Sequence, residues 1–178
     1  MIVSATAIPG LWIVEPEPIG DDRGWFARTY DQAEFARLGL NTDWPQWSRS
    51  FNKRAGTVRG MHYQRPPHAE TKLVTCLQGA ILDAVIDLRP DSPSYCQSVA
   101  VELGGASGRA LYIPPGLAHG FQTLADDTLV GYHITPPYRP EASAGVRWDD
   151  PAFSLSWPGP ITVIADKDRA WPDFRLGA

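Results

Sequence analysis

From Lys72 to Ile134 the chain alternates short apolar runs with turn residues every few positions, a rhythm that suits a stack of β-strands and little else. The runs cover 72–77, 80–88, 98–103, 109–113, 120–124 and 129–134. Each is too short for a packed helix, and the segments between them are punctuated by Gly, Pro and Asp. Upstream, 2–8 and 11–14 flank Pro9-Gly10, and Asp21-Asp22-Arg23-Gly24 turns the chain into a run at 25–30. Further runs follow at 46–51 and 57–63. One short helix is expected over 32–38, capped by Asp31, with Phe35 and Leu38 three apart and Gly39 closing it. The 16 glycines and 17 prolines fit strands joined by turns, so the expected class is all-β, a sandwich or jelly roll. The tail from Arg147 to Pro172 lacks periodicity, is rich in Trp and Pro, and is expected to wrap the body and return a side chain to the site.

A chain of 178 residues suits one domain, expected to span 1–178 without repeats or linkers. Its 16 basic and 20 acidic side chains form no basic cluster, which argues against a nucleic-acid binder and means an anionic ligand needs a local cationic pocket. Cys76 and Cys96 each lie within an apolar segment and fit reduced core residues. With no signal-peptide pattern and no run of ~18 apolar residues, a soluble cytoplasmic protein without membrane contact is expected.

The polar side chains concentrate between Gly56 and Gly79. Arg59, His62, Gln64 and Lys72 sit there on strand-like alternation, which lets them converge on one face as in an active site. Two spacings in this region and beyond resemble cupin motifs. Gly108, Pro114, Gly116 and His119 match the second, with Thr123 in place of its terminal Asn. Gly56 and His62 begin the first, but Gln64 stands where metal-binding cupins have a second His and Lys72 where they have a Glu. The expected fold is therefore a cupin-like jelly-roll barrel with one or a few short helices. An ammonium has no lone pair for a cation, so no metal is expected; Lys72 can instead stabilise negative charge on a substrate oxygen.

Thr57-Val-Arg-Gly-Met-His-Tyr-Gln64, Ile113-Pro-Pro-Gly-Leu-Ala-His-Gly-Phe121, Arg147-Trp-Asp-Asp-Pro151 and Asp166-Lys-Asp-Arg169, in this order, resemble the dTDP-4-dehydrorhamnose 3,5-epimerase family. The resemblance implies a metal-free, cofactor-free cupin homodimer. Its substrate would be a nucleoside-diphosphate 4-keto-6-deoxyhexose, dTDP-linked, whose C3 and C5 protons are removed and returned on the opposite face. It implies His62 as base, Asp168 as its orienting carboxylate, Lys72 as partner of the C4 enolate and Tyr132 as acid. An imidazole titrates near neutral pH, as the base requires. Arg23 and Arg59 would meet the diphosphate, His119 and Lys167 the same ligand, and Phe26 and Tyr138 the nucleotide base. Gln64 completes this candidate set.

Each residue also has an ordinary structural reading: His119 as a holder of the barrel mouth, Tyr132 as core, Asp168 as a loop cap or partner of Arg169. Three positions depart from the family. Arg28 stands in place of a Glu, Gln46-Trp47-Ser48 in place of Gln-x-Asn, and Ser143 in place of a Glu. These are nucleotide-holding positions, so a variant nucleotide sugar is expected, and epimerisation at C3 or C5 alone stands beside double epimerisation. Two other classes compete: a metal-dependent cupin oxygenase or isomerase, and a non-catalytic sugar-binding cupin.

Overall fold

Inward positions of the central strands, taken two residues apart, close on one another as two facing sheets. The computed structural model describes residues 1–175; 176–178, the end of the expected domain, lie outside the described residues. In chain order the elements are β1 (Ile2–Ala5), β2 (Trp12–Glu15), β3 (Ile19–Asp21), β4 (Gly24–Phe26), α1 (Gln32–Arg37), β5 (Gln46–Asn52), β6 (Thr57–Gln64) and β7 (Thr71–Gln78). They continue with β8 (Ala80–Asp87), β9 (Ser98–Gly104), β10 (Ala110–Ile113), β11 (Leu117–Thr123), β12 (Thr128–Thr135), β13 (Ser143–Gly145), β14 (Val163–Ile164) and α2 (Asp166–Arg169). One sheet has the order β1-β2-β10-β7-β12-β5 and the other β13-β6-β11-β8-β9, while β3 and β4 form a separate hairpin.

The core lies between the sheets. Val74 and Cys76 of β7, Leu111 and Ile113 of β10 and Val130 of β12 meet Ile81 and Val85 of β8, Leu103 of β9, and Leu117 and Phe121 of β11. Each such side chain contributes about 1.5–3 kcal/mol of burial. The fold is all-β, a cupin-like jelly roll with two short α-helices and two single 3-10 turns among the described residues. None of these helices is long and apolar enough to cross a membrane.

Several boundaries differ from the sequence reading. The first run stops at Ala5 because Thr6 turns the chain, its N–H donating to the Leu11 carbonyl and its hydroxyl to that of Ile8. The run expected at 25–30 ends at Phe26, and that expected at 120–124 begins at Leu117. The helix ends at Arg37, with the Asp31 carboxylate accepting from the N–H groups of Ala33 and Glu34.

Two features fix where the polar side chains of β6, β11 and α2 fall. Gly60 has φ +137°, and a side chain on it would lie 2.5 Å from Gly120 Cα, so β6 and β11 touch through bare backbone. The register shifts at this contact, and His62 falls directly opposite His119. One edge of β6 is also shared: β13 pairs antiparallel with its second half and β14 parallel with its first. The aperiodic tail thus carries α2 back onto β6.

Candidate active site

Strand alternation that builds the core also builds the site. Lys72 is the next inward residue along β7 from Val74, Tyr132 follows Val130 on β12, and His119 lies between Leu117 and Phe121 on β11. These polar side chains therefore crown the apolar core and line a cavity of about 1020 Å³. His62 enters from β6, and Lys167 and Asp168 arrive on α2.

His62 Nε2 lies 2.7 Å from Asp168 Oδ1, and Asp168 is buried while the imidazole is one-third exposed to the cavity. Burial alone would raise the Asp168 carboxyl, but the hydrogen bond and charge of His62, with the Gly60 N–H, hold it below the usual carboxylate range. An anion beside a ring nitrogen fixes the ring's orientation and stabilises an imidazolium.

On the opposite sheet, the Tyr132 hydroxyl is 3.1 Å from Ser50 Oγ. Burial pushes the phenol well above its ordinary range, a shift eased by Ser50, reinforced by the negative charge of Asp83 and opposed by Arg59. Tyr132 is thus a neutral O–H donor at physiological pH. Lys72 Nζ is 2.8 Å from Glu70 Oε1, with both side chains almost wholly buried. Arg59 Nε donates to Asn52 Oδ1 at 2.7 Å, which leaves the far end of its guanidinium for a ligand.

Ser48, Tyr138 and Ser143 also line the cavity. Gln64 lies in its wall, but its amide is occupied: Nε2 donates to the His68 carbonyl at 3.0 Å and Oε1 accepts from the Arg139 N–H at 2.6 Å. Gln46 supports the rim from behind, accepting from the Tyr138 N–H at 2.7 Å. Three expected residues lie away from the cavity of their own chain. Arg23 pairs with Asp21 on the exposed hairpin, Phe26 is exposed beside it, and Arg28 pairs with Asp31 at the start of α1.

Sequence reasoning missed Asp83, Glu70 and Trp171. Asp83 of β8 lies between Ile81 and Val85 on the inward face, with Oδ1 2.7 Å from His119 Nε2. Its signal was an acid on the core face of an apolar strand. Glu70 shares the alternation of Lys72, but Pro66-Pro67 hid it in an apparent loop. Trp171 packs against Gly145, where an added Cβ would fall 2.5 Å from the indole, and no periodicity marked its place.

The arrangement sets an imidazole with its carboxylate on one wall, a neutral phenol on the other and an ammonium between core and cavity. A family model described as dTDP-4-dehydrorhamnose 3,5-epimerase matches residues 5–175. The dTDP-4-dehydrorhamnose 3,5-epimerase of Sinorhizobium fredii is 38% identical over 175 residues, 98% of this chain and 90% of its own. The crystal structure of the Bacillus anthracis dTDP-4-dehydrorhamnose 3,5-epimerase with TDP and PPi bound matches with a TM-score of 0.92 at 38% identity, covering 97% of this chain and 99% of that one. A 3′-monoepimerase from Streptomyces bikiniensis in complex with dTDP-quinovose matches with a TM-score of 0.87 at 29% identity, covering 94% and 85%. A match that runs from the first strand through the tail carrying Asp168 leaves one assignment: the chain belongs to the dTDP-4-dehydrorhamnose 3,5-epimerase family.

Proposed function

We propose that this protein epimerises a dTDP-linked 4-keto-6-deoxyhexose by moving protons at carbons next to the C4 ketone. His62 removes the proton, and Asp168 holds its ring and balances the imidazolium charge that develops. The carbonyl acidifies that C–H bond, and the enolate oxygen it leaves is stabilised by the Lys72 ammonium. Tyr132 then supplies a proton from the other side, which inverts the carbon. The observation that carries this reading is that His62 and Tyr132 come from opposing sheets and line the same cavity. Arg59 and Lys167 give the diphosphate its cationic contacts, and Tyr138 at the rim offers a ring for the base.

The reading extends to one domain in the cytoplasm, where Cys76 and Cys96 remain free thiols. It also makes the protein a two-fold homodimer. Support comes from the β5 edge, which has no strand beyond it among the described residues, and from exposed apolar side chains around it. Trp47 of β5 is 74% exposed and Phe26 of the hairpin 73%. A hairpin that crosses to a partner would deliver Arg23 and Phe26 to that partner's cavity.

A metal-centred alternative would have to place a cation beside Lys72, and among the described residues no group of three or more His, Cys, Asp or Glu is placed to hold one. A purely sugar-binding role leaves the His62–Asp168 pair and the buried phenol without employment.

The test is incubation with a dTDP-4-keto-6-deoxyhexose in deuterated water, read by NMR. Deuterium at C3 and C5 is the expected result for a double epimerase, and deuterium at C3 alone or C5 alone defines a single one. No incorporation at either carbon would overturn the reading.

A further inference from the structure

Asp83 is fully buried in the core face of β8, yet proton transfer between His62 and Tyr132 gives it no task. One oxygen meets His119 Nε2 at 2.7 Å; the other, Oδ2, has no hydrogen-bond partner among the described residues. A buried carboxylate with one oxygen unpartnered carries a desolvation cost that its single hydrogen bond to His119 only partly offsets. Its retention calls for a use at the cavity, and His119, itself only 4% exposed, connects it there. The His119 ring also packs edge-on to Tyr132, with centroids 6.4 Å apart. His119 lies opposite His62 on the paired strand, so two imidazole–carboxylate pairs stand side by side.

Resting on the epimerase reading, we propose that Asp83 is a positioning residue that holds His119 as the Nε2–H tautomer, so that Nδ1 accepts a hydrogen bond from a hydroxyl of the hexose. A carboxylate can only accept, so Nε2 carries the hydrogen, and in the neutral ring Nδ1 is left with a lone pair. A lone pair suits a hydroxyl donor and not a diphosphate oxygen. His119 therefore serves the sugar, held square to the Tyr132 ring, while Arg59 and Lys167 serve the phosphates.

The experiment compares Asp83→Leu, which removes the acceptor, with Asp83→Asn, which keeps an acceptor without the charge. Nitrogen-15 NMR of the wild-type protein, with His119→Gln for assignment, should show His119 as the Nε2–H tautomer. Asp83→Asn should keep that tautomer and Asp83→Leu should mix the two. Asp83→Leu strands the buried His119 N–H and should melt lower than wild type; in the protein that still folds, kcat should fall about 100-fold, while the Kd for dTDP alone changes less than twofold. Wild-type kcat in a folded Asp83→Leu protein would overturn the proposal. So would an Nδ1–H or doubly protonated His119 in the wild type, a result that needs no variant to fold. An equal loss of dTDP affinity would overturn the hexose assignment. If the wild-type protein exchanges no deuterium into the sugar, it is the epimerase reading that fails, and the tautomer is still measured independently.

Discussion

Glu70 Oε1 lies 2.8 Å from Lys72 Nζ, and their side chains are 8% and 10% exposed. Lys72 stands on the core face of β7, where a lone ammonium would be costly; Glu70 offsets its charge and fixes its direction. Glu70→Gln leaves the ammonium without a counterion. This variant should lose about 2 kcal/mol of stability, read from urea unfolding, and about tenfold in kcat as Lys72 leaves its position. Wild-type stability and rate together would show that the pair is incidental.

A second carboxylate braces the fold away from the site. Asp87, at the end of β8, accepts from Arg89 Nε at 2.8 Å, Ser92 Oγ at 2.6 Å and Ser94 Oγ at 2.7 Å. Burial by itself would raise its pKa, but Arg89 and the two serines outweigh that and hold it at about 2 against an ordinary 3.8. A depressed carboxyl stabilises the fold fully above pH 3.8 and loses that contribution as pH falls through about 2. The difference is worth about 2 kcal/mol. Urea midpoints measured from pH 5 to pH 2 should fall more steeply for wild type than for Asp87→Asn. Parallel curves would contradict the assignment.

The close approach of β6 and β11 yields a third expectation. A Cβ on Gly120 would meet Arg59 O and Met61 Sδ, each at 2.7 Å, and Gly60 Cα at 2.9 Å. Two of these are backbone and cannot swing aside. Gly120→Ala should destabilise the protein by about 3 kcal/mol and, by parting His62 from His119, lower kcat at least tenfold. Thermal melting and steady-state kinetics on the same preparation check both, and an unchanged melting point would refute the contact.

The strand-rich architecture was legible because the core strands alternate with a period of two and Gly, Pro and Asp punctuate the segments between them. His62 was legible because its strand carries a family motif and Lys72 because it takes the place of a cupin metal ligand, while Tyr132 came only with the resemblance. Tertiary pairing was not. The Asp168–His62 pair came only with the resemblance; the strand contact that delivers it, Val163 and Ile164 in parallel with Thr57 and Val58, follows from no local pattern. Asp83 interrupts an apolar run, and only the pairing of β8 with β11 brings it to His119. Arg23, Phe26 and Arg28 were expected at the ligand by resemblance yet lie away from the cavity of their own chain, since order along the chain does not fix where a side chain ends in space.

The central claim is that one carbon is deprotonated by His62 and reprotonated by Tyr132 from the opposite face. The most direct measurement follows deuterium uptake and configuration together, by NMR, in Tyr132→Phe and His62→Asn with a dTDP-4-keto-6-deoxyhexose in deuterated water. Tyr132→Phe should still take up deuterium, because His62 can remove and return the proton on its own face, but should invert the carbon at least 100-fold more slowly. His62→Asn should lose both uptake and inversion. Inversion at the wild-type rate in Tyr132→Phe, or undiminished uptake in His62→Asn, would contradict the account.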